Sequence, residues 1–162
     1  MKRIPLTQGK YAIVDDEDYE LVNQYKWYAS NFDGAFYAQT SLWDSRNKRK
    51  SSLYMHRLIL NAKLGQSMDH IDGNSLNNQK SNLRFCNAAQ NMYNRRSYIG
   101  KSKYKGVVKN YKKWQAQIGY KGRTLYLGSF KSEIDAAKAY DKKAIEVFGE
   151  FACLNFPKNK CL

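Results

Sequence analysis

The pattern of apolar and polar positions changes period several times along this chain, and each change marks an element. Tyr11-Ala12-Ile13-Val14 is a short apolar run ended by the acidic stretch Asp15 to Asp18, and it reads as a strand. Tyr19, Leu21, Val22 and Tyr25 then recur at roughly helical spacing and predict a short helix. Phe36-Tyr37-Ala38-Gln39-Thr40 and Leu53-Tyr54-Met55 read as strands on either side of the basic loop Arg46-Asn47-Lys48-Arg49-Lys50. That loop reads equally well as a phosphate contact or as a solvated hairpin tip. His56 to Leu64 predicts another short helix. From Met68 to Asn94 the chain turns polar and dense in Asp, Asn and His, and reads as a strand, a polar loop, a second strand at Leu83 to Cys86 and a helix from about Ala88 to Arg95.

Arg95 to Lys103 is basic and contains Ser and Gly, so the domain boundary falls there. Beyond it, Tyr104 to Phe130 holds three strand-like runs broken by turn signals at Asn110 and at Lys121-Gly122. A helix follows, opening at Ser132 with Asp135 three residues on and stopping at Gly149. Its small-residue face, Ala136, Ala137, Ala139, Tyr140, Ala144 and Val147, suits close packing on a sheet. The fold class expected is α+β. Its parts are an α/β lead-in over 1–52, a hairpin-and-helix core over 53–96, a basic linker over 97–103, a three-strand-plus-helix domain over 104–157 and a tail over 158–162.

Charge sharpens this division. The chain of 162 residues carries a formal charge of +14, and a pI near 9.7 points to a polyanionic partner. Residues 1–45 hold 4 Lys and Arg against 7 Asp and Glu, whereas residues 46–162 hold 24 against 7, so the basic field belongs to the later part. A hydrophobic fraction of 43% argues against general disorder. Cys86, Cys153 and Cys161 form no C-x-x-C pair and read as reduced thiols in a cytosolic-type compartment. No apolar h-region follows Met1-Lys2-Arg3, and no run of about 18 apolar residues occurs, so neither secretion nor a membrane span is expected.

The chemistry-bearing stretch is Asp69-His70-Ile71-Asp72-Gly73-Asn74, followed by Asn77-Asn78, Ser81-Asn82-Leu83-Arg84 and Gln90-Asn91. A carboxylate, an imidazole and an amide oxygen converging on a hairpin and helix can hold one hard divalent cation and activate one water, which phosphodiester hydrolysis requires. Adjacent strand residues point to opposite faces, so the first strand is expected to end at Asp69-His70, ahead of the Asp72-Gly73-Asn74 turn.

The run from Met55-His56-Arg57-Leu58 through Asp69-His70 to Asn91 resembles the HNH homing endonucleases of the ββα-metal fold. The resemblance implies that His70 is the general base, that Asp69 and Asn91 are the metal ligands, and that Asn82 braces the hairpin and orients His70. It also implies products with 5′-phosphate and 3′-hydroxyl ends. Asn91 stands where the family is named for a histidine. Oxygen ligands then outnumber nitrogen ones, which favours Mg²⁺, or Mn²⁺, over zinc. His56 reads as a packed or capping residue, and Asp72 as a turn residue first.

Further on, Tyr104-Lys105-Gly106-Val107, Trp114-Gln115-Ala116-Gln117-Ile118, Tyr126-Leu127-Gly128-Ser129-Phe130 and Leu154-Asn155-Phe156-Pro157 resemble the plant ethylene-response-factor (Apetala-type) DNA-binding domain. In that family a three-stranded sheet enters the major groove with a helix on its back. Alternation puts Trp114, Ala116 and Ile118 on one face and Lys113, Gln115 and Gln117 on the other, DNA-facing side. The resemblance assigns DNA contacts to Lys105, Lys109, Gln117, Arg123, Thr124 and Tyr126, and the basic segment adds Arg95, Arg96, Lys101 and Lys103. Val108, Gly119 and Thr124 replace arginines of the plant domains, so a preference for their GC-rich box does not carry over.

The expectation is a metal-dependent endonuclease of double-stranded DNA, of phage, intron or other mobile-element origin. No apolar seam calls for more than a monomer. The alternatives are a non-catalytic sequence-specific DNA-binding regulator and a nuclease of DNA packaging or defence.

Overall fold

A computed structural model of the chain describes residues 1–45, 48–94 and 102–156. Helix and sheet are mixed, as expected of an α+β protein. The chain divides into two compact units, Met1–Ala88 and Ala89–Leu162.

The first unit opens with the hairpin β1 (Lys2–Pro5) and β2 (Tyr11–Val14), followed by a 3-10 turn at Asp16–Asp18 and helix α1 (Tyr19–Asn23). A meander of β3 (Tyr28–Phe32), β4 (Ala35–Asp44) and β5 (Arg49–Tyr54) comes next, in the order β3-β4-β5. It leads into α2 (Met55–Ile59) and then the hairpin β6 (Ser67–His70) and β7 (Leu83–Cys86). Ile4, Ala12, Val14, Val22, Trp27, Ala38, Met55, Ile59 and Leu83 share one core, so the lead-in and the polar hairpin are packed together rather than strung in series.

One expected element needs correcting, and two strands lay outside the expectation. The helix predicted over 56–64 stops at Ile59, because Asn61 takes φ 48° and the Arg57 guanidinium donates to the carbonyls of Gln66 (2.8 Å) and Lys63 (2.7 Å), folding the chain back. Strands β1 and β3 carry no clean apolar alternation, since each buries one residue only. Pairing with a neighbouring strand creates them, not their own pattern.

The acidic run beyond β2 has a mechanical role. Asp15 accepts from Gln79 Nε2 (2.8 Å) and from the Lys80 backbone N–H (2.8 Å). Lys80 Nζ reaches Glu17 (2.7 Å) and the buried Asp18 (2.9 Å). With Ile13 bridging the loop backbone at Leu76 and Asn78, these bonds pin the loop between β6 and β7 to the lead-in.

The second unit starts with α3 (Ala89 onward within Ala88–Asn94) and holds the antiparallel sheet β10-β9-β8, made of β8 (Val107–Asn110), β9 (Lys113–Tyr120) and β10 (Arg123–Phe130). Helix α4 (Glu133–Phe148) is capped by Ser132, whose hydroxyl accepts from the Ile134 N–H (3.2 Å), and ends at Gly149. Its buried face, Ala136, Ala137, Tyr140, Ala144 and Phe148, packs on Val107, Ala116 and Ile118. Tyr93 of α3 stacks on Phe148 at 4.0 Å, which makes α3 part of this unit. Asp141 is buried and accepts from the backbone N–H groups of Asn155 and Phe156 (2.8 Å each), while the Asn155 carboxamide bonds both backbone groups of Lys105.

Gly106 lies under α4 at φ 73°, and a β-carbon there would collide with the Tyr140 ring and stand 2.6 Å from the Gln117 carbonyl oxygen. Gly106→Ala is therefore expected to destabilise the second unit by about 3 kcal/mol, read as a lowered urea midpoint.

Candidate functional site

His70 is the last residue of β6, paired with Leu83 across the hairpin, and both are buried. The chain has two histidines, and the fold brings them together. His56, in the first turn of α2, has its ring centroid 5.1 Å from that of His70, with the planes at 76°. Tyr37 of β4 stands 6.2 Å from His70 and 6.0 Å from His56, and Tyr54 of β5 lies 5.6 Å from His56. Three segments far apart in sequence thus build one aromatic cluster around the imidazoles.

Polar contacts on His70 come from the loop. Its Nε2 lies 3.5 Å from Oδ1 of Asn78, a fully buried residue whose own Nδ2 donates to the Leu76 carbonyl. Removal from water lowers the His70 pKa below the ordinary imidazole range, against the opposing pull of Asn78, Asp72 and Asp69. His56 is pushed down to about 3, first by burial, then by His70 and Arg57. Both rings are neutral at neutral pH, so His70 is in the form that can accept a proton.

Asn82 lies at the far end of the same loop, where every polar atom of its carboxamide is used. Oδ1 accepts from the Asp72 N–H (3.0 Å), and Nδ2 donates to Asp72 Oδ1 (2.9 Å) and to the Asn77 carbonyl (2.8 Å). Asp72 also accepts from the Asn74 N–H (2.7 Å) and from Asn77 Nδ2 (2.9 Å). Gly73, at φ 74°, closes the turn by donating its N–H to the His70 carbonyl.

Strand β6 does end at His70, yet Asp69 and His70 both remain in register, so alternation sends their side chains to opposite faces. Asp69 meets Arg84, its cross-strand partner, through Nη2 at 2.8 Å and Nε at 3.2 Å, and the pair is largely buried. Asn91 sits exposed on α3, in the second unit. Among the described residues no group of three or more His, Cys, Asp or Glu side chains gathers as a metal cage. Sequence reading gave no separate role to Asn78 and took His56 as packing. The only signal for His56 was its place in Met55-His56-Arg57-Leu58, because its nearness to His70 is purely tertiary.

In the second unit, strand register sorts the residues expected to touch DNA. Gln117 pairs with Tyr126 and Gly119 with Thr124, so Gln117, Thr124 and Tyr126 lie on one open face of the sheet. Val108, Gln115, Lys113 and Ser129 share that face by the same register. Lys109 pairs with Trp114 on the opposite, helix-packed face and holds its ammonium 5.4 Å from that ring. Arg123 pairs with Tyr120 and belongs to the Trp114 side as well. Lys105 is turned inward, donating from Nζ to the Tyr93 carbonyl at 2.6 Å. Lys103 places its ammonium 5.3 Å from the Tyr104 ring. Arg95, Arg96 and Lys101 lie outside the described residues.

No helix among the described residues is long and apolar enough to cross a membrane. No family model matches the chain. Part of the chain is similar to plant regulators. It is 43% identical over 61 residues to an ethylene-responsive transcription factor of Arabidopsis thaliana, covering 35% of this chain and 14% of that protein. It is also 43% identical over 61 residues to an AP2-like ethylene-responsive transcription factor of Oryza sativa subsp. japonica, covering 35% of this chain and 10% of that protein. These matches span only a small share of the plant factors. A much longer one runs to an uncharacterised HNH endonuclease of Acanthamoeba polyphaga mimivirus, 30% identical over 150 residues, covering 91% of this chain and 76% of that protein. On the length and identity of that match, the chain belongs to the HNH endonuclease family.

Proposed function

We propose that this protein is a metal-dependent endonuclease that hydrolyses phosphodiester bonds of double-stranded DNA, with His70 as general base. The observation that carries the reading is His70 itself, neutral and buried at the end of a hairpin whose loop is locked by Asn82, in a chain of the HNH endonuclease family. In this reading the hairpin of β6 and β7 supplies the two strands of the ββα-metal core. His70 takes a proton from water, the water oxygen attacks phosphorus, and the 3′-oxygen leaves with the P–O electron pair and acquires a proton from solvent. Asn82 holds the loop that aims His70, and Asn78 fixes the ring from below.

The donor chemistry suits a hard cation. Asp69 offers a carboxylate oxygen of the kind Mg²⁺ or Mn²⁺ accepts when water and substrate phosphate complete its shell, provided that it exchanges Arg84 for the cation and turns to the His70 side of β6. Arg84 holds the Asp69 carboxylate through Nε and Nη2 and so fixes its orientation. When bound, such a cation supplies positive charge to the phosphate and the departing oxygen.

The second unit is the sequence-reading module in this proposal, with the open face bearing Gln117, Thr124 and Tyr126 against the major groove. Its similarity to plant DNA-binding factors supports that role. Pairing a nuclease with a reader fits a homing-type enzyme of a phage or other mobile element, acting as a monomer in the cytoplasm.

Three outcomes test these assignments. His70→Ala is expected to abolish Mg²⁺-dependent nicking or linearisation of a plasmid carrying the gene's own flanking DNA, with binding in a gel-shift assay kept. Cleavage by that variant would remove His70 from its role. Tyr126→Ala and Gln117→Ala are each expected to weaken specific DNA binding by about 1–3 kcal/mol, and unchanged affinity would turn the reading face elsewhere.

The third is a pH dependence. Unfolding frees both imidazoles to take protons below about pH 6.5, whereas the folded state holds them neutral, His56 down to about pH 3. The unfolded state then binds more protons, so stability is flat above pH 6.5 and falls as the pH drops below it. Urea titrations between pH 6.5 and 5, above the carboxylate range, should show a slope to which His56 contributes about 1.4 kcal/mol per pH unit, and His56→Gln should remove that part and leave the part due to His70.

A further inference from the structure

The proposed mechanism leaves one polar group of the site without a task. In Met55-His56-Arg57-Leu58, Met55 is fully buried in the core of the first unit, Leu58 packs against that core, and Arg57 holds the loop at Lys63 and Gln66. His56 does none of this. Its ring packs against the rings of Tyr37, Tyr54 and His70 and makes no hydrogen bond among the described residues. A phenylalanine would serve as well for packing, and His56 is only half-buried, with neither ring nitrogen sealed from solvent. A half-buried imidazole whose nitrogens remain reachable, 5.1 Å from the proposed base, is poised for a partner that arrives from outside.

We infer that His56 is a second catalytic histidine of this site, whose ring N–H donates a hydrogen bond to a non-bridging oxygen of the scissile phosphate. The inference rests on the nuclease reading above. Attack on phosphorus increases negative charge on the phosphate oxygens, so a donor fixed in a water-poor cluster strengthens in the transition state and needs no reorganisation. The neutrality of the ring is consistent with a donor of a hydrogen bond that keeps its proton, so His56 neither gains nor loses a proton in the reaction. Tyr37 and Tyr54 hold the ring from two sides, which limits its rotation.

The test separates ring shape from the N–H group in the full-length protein, using single-turnover cleavage of flanking-DNA plasmid in Mg²⁺. His56→Phe keeps the ring and deletes the donor. It is expected to fold and to bind DNA within about twofold of wild type while cleaving about 100-fold more slowly, the loss typical of one deleted transition-state donor. His56→Asn or His56→Gln, according to which ring nitrogen donates, should recover cleavage to within about tenfold of wild type. Wild-type cleavage by His56→Phe, or equal loss in the Phe, Asn and Gln variants, overturns the assignment and leaves His56 as packing. Should His56→Phe not fold, His56→Ala with added imidazole replaces it, and failure of imidazole to restore cleavage counts against the donor. Absence of metal-dependent cleavage by the wild type sinks the nuclease reading itself and this inference with it, whereas cleavage retained in His70→Ala removes the base beside which His56 is placed and overturns the inference alone. Loss confined to His70→Ala sinks only the role of His56.

Discussion

The contact on which the candidate site depends is the reciprocal pair of hydrogen bonds between Asp72 and Asn82. Each side chain sits at one end of the loop that joins β6 to β7, and each reaches the other: the Asn82 oxygen takes the Asp72 N–H, and the Asn82 amide gives to the Asp72 carboxylate. A polar loop of this length would otherwise sample many conformations, at a backbone cost of roughly 1–2 kcal/mol for each residue ordered. Closing it at both ends, and bonding Asn74 and Asn77 inside, removes that freedom. His70 and Asn78 are held by the same loop, so the position of the imidazole follows from a network that does not touch it.

The lead-in shares in this. Its acidic residues explain why the first part of the chain opposes the charge of the rest. Asp15, Glu17 and Asp18 are spent on Gln79 and Lys80, fastening the loop from outside, and Ile13 adds two backbone bonds. The exposed Lys80–Glu17 pair contributes little alone. The bonds from Asp15 to the loop, one of them to a backbone N–H, carry more of the fastening because they also satisfy the main chain. The N-terminal region is therefore part of the machinery that shapes the site, although none of its carboxylates faces His70.

The second unit follows a different logic. Small residues of α4 let the helix lie on the sheet, and Gly106 admits the Tyr140 ring where any β-carbon would block it. Asp141 and Asn155 then tie the unit's entry and its closing segment to the helix. With one face of the sheet covered, the other presents Gln115, Gln117, Thr124, Tyr126 and Ser129, a polar and aromatic surface with Lys113 as its strand cation. Lysine count overstates the charge of that face, because Lys105 and Lys109 are directed elsewhere.

What the sequence by itself determined was whatever is local or motif-borne. The turn at Asp72-Gly73-Asn74, the strand Leu83–Cys86, the helix from Ser132 to Gly149 and the alternation along β9 all follow from residue type and period, and the structure has them within a residue or so. Resemblance supplied the candidate base and its neighbours. Only the tertiary structure decided which residues meet. His56 and His70 are fourteen positions apart with no periodic relation, and Tyr37 is more distant still, so their cluster exists only once β4, α2 and β6 pack on one core. Lys109 could be placed on a face only after β8 had paired with β9, since a one-residue shift of register reverses every side chain. Local pattern fixes the direction of a side chain relative to its own strand, whereas the identity of its neighbours depends on contacts between segments that no spacing along the chain encodes.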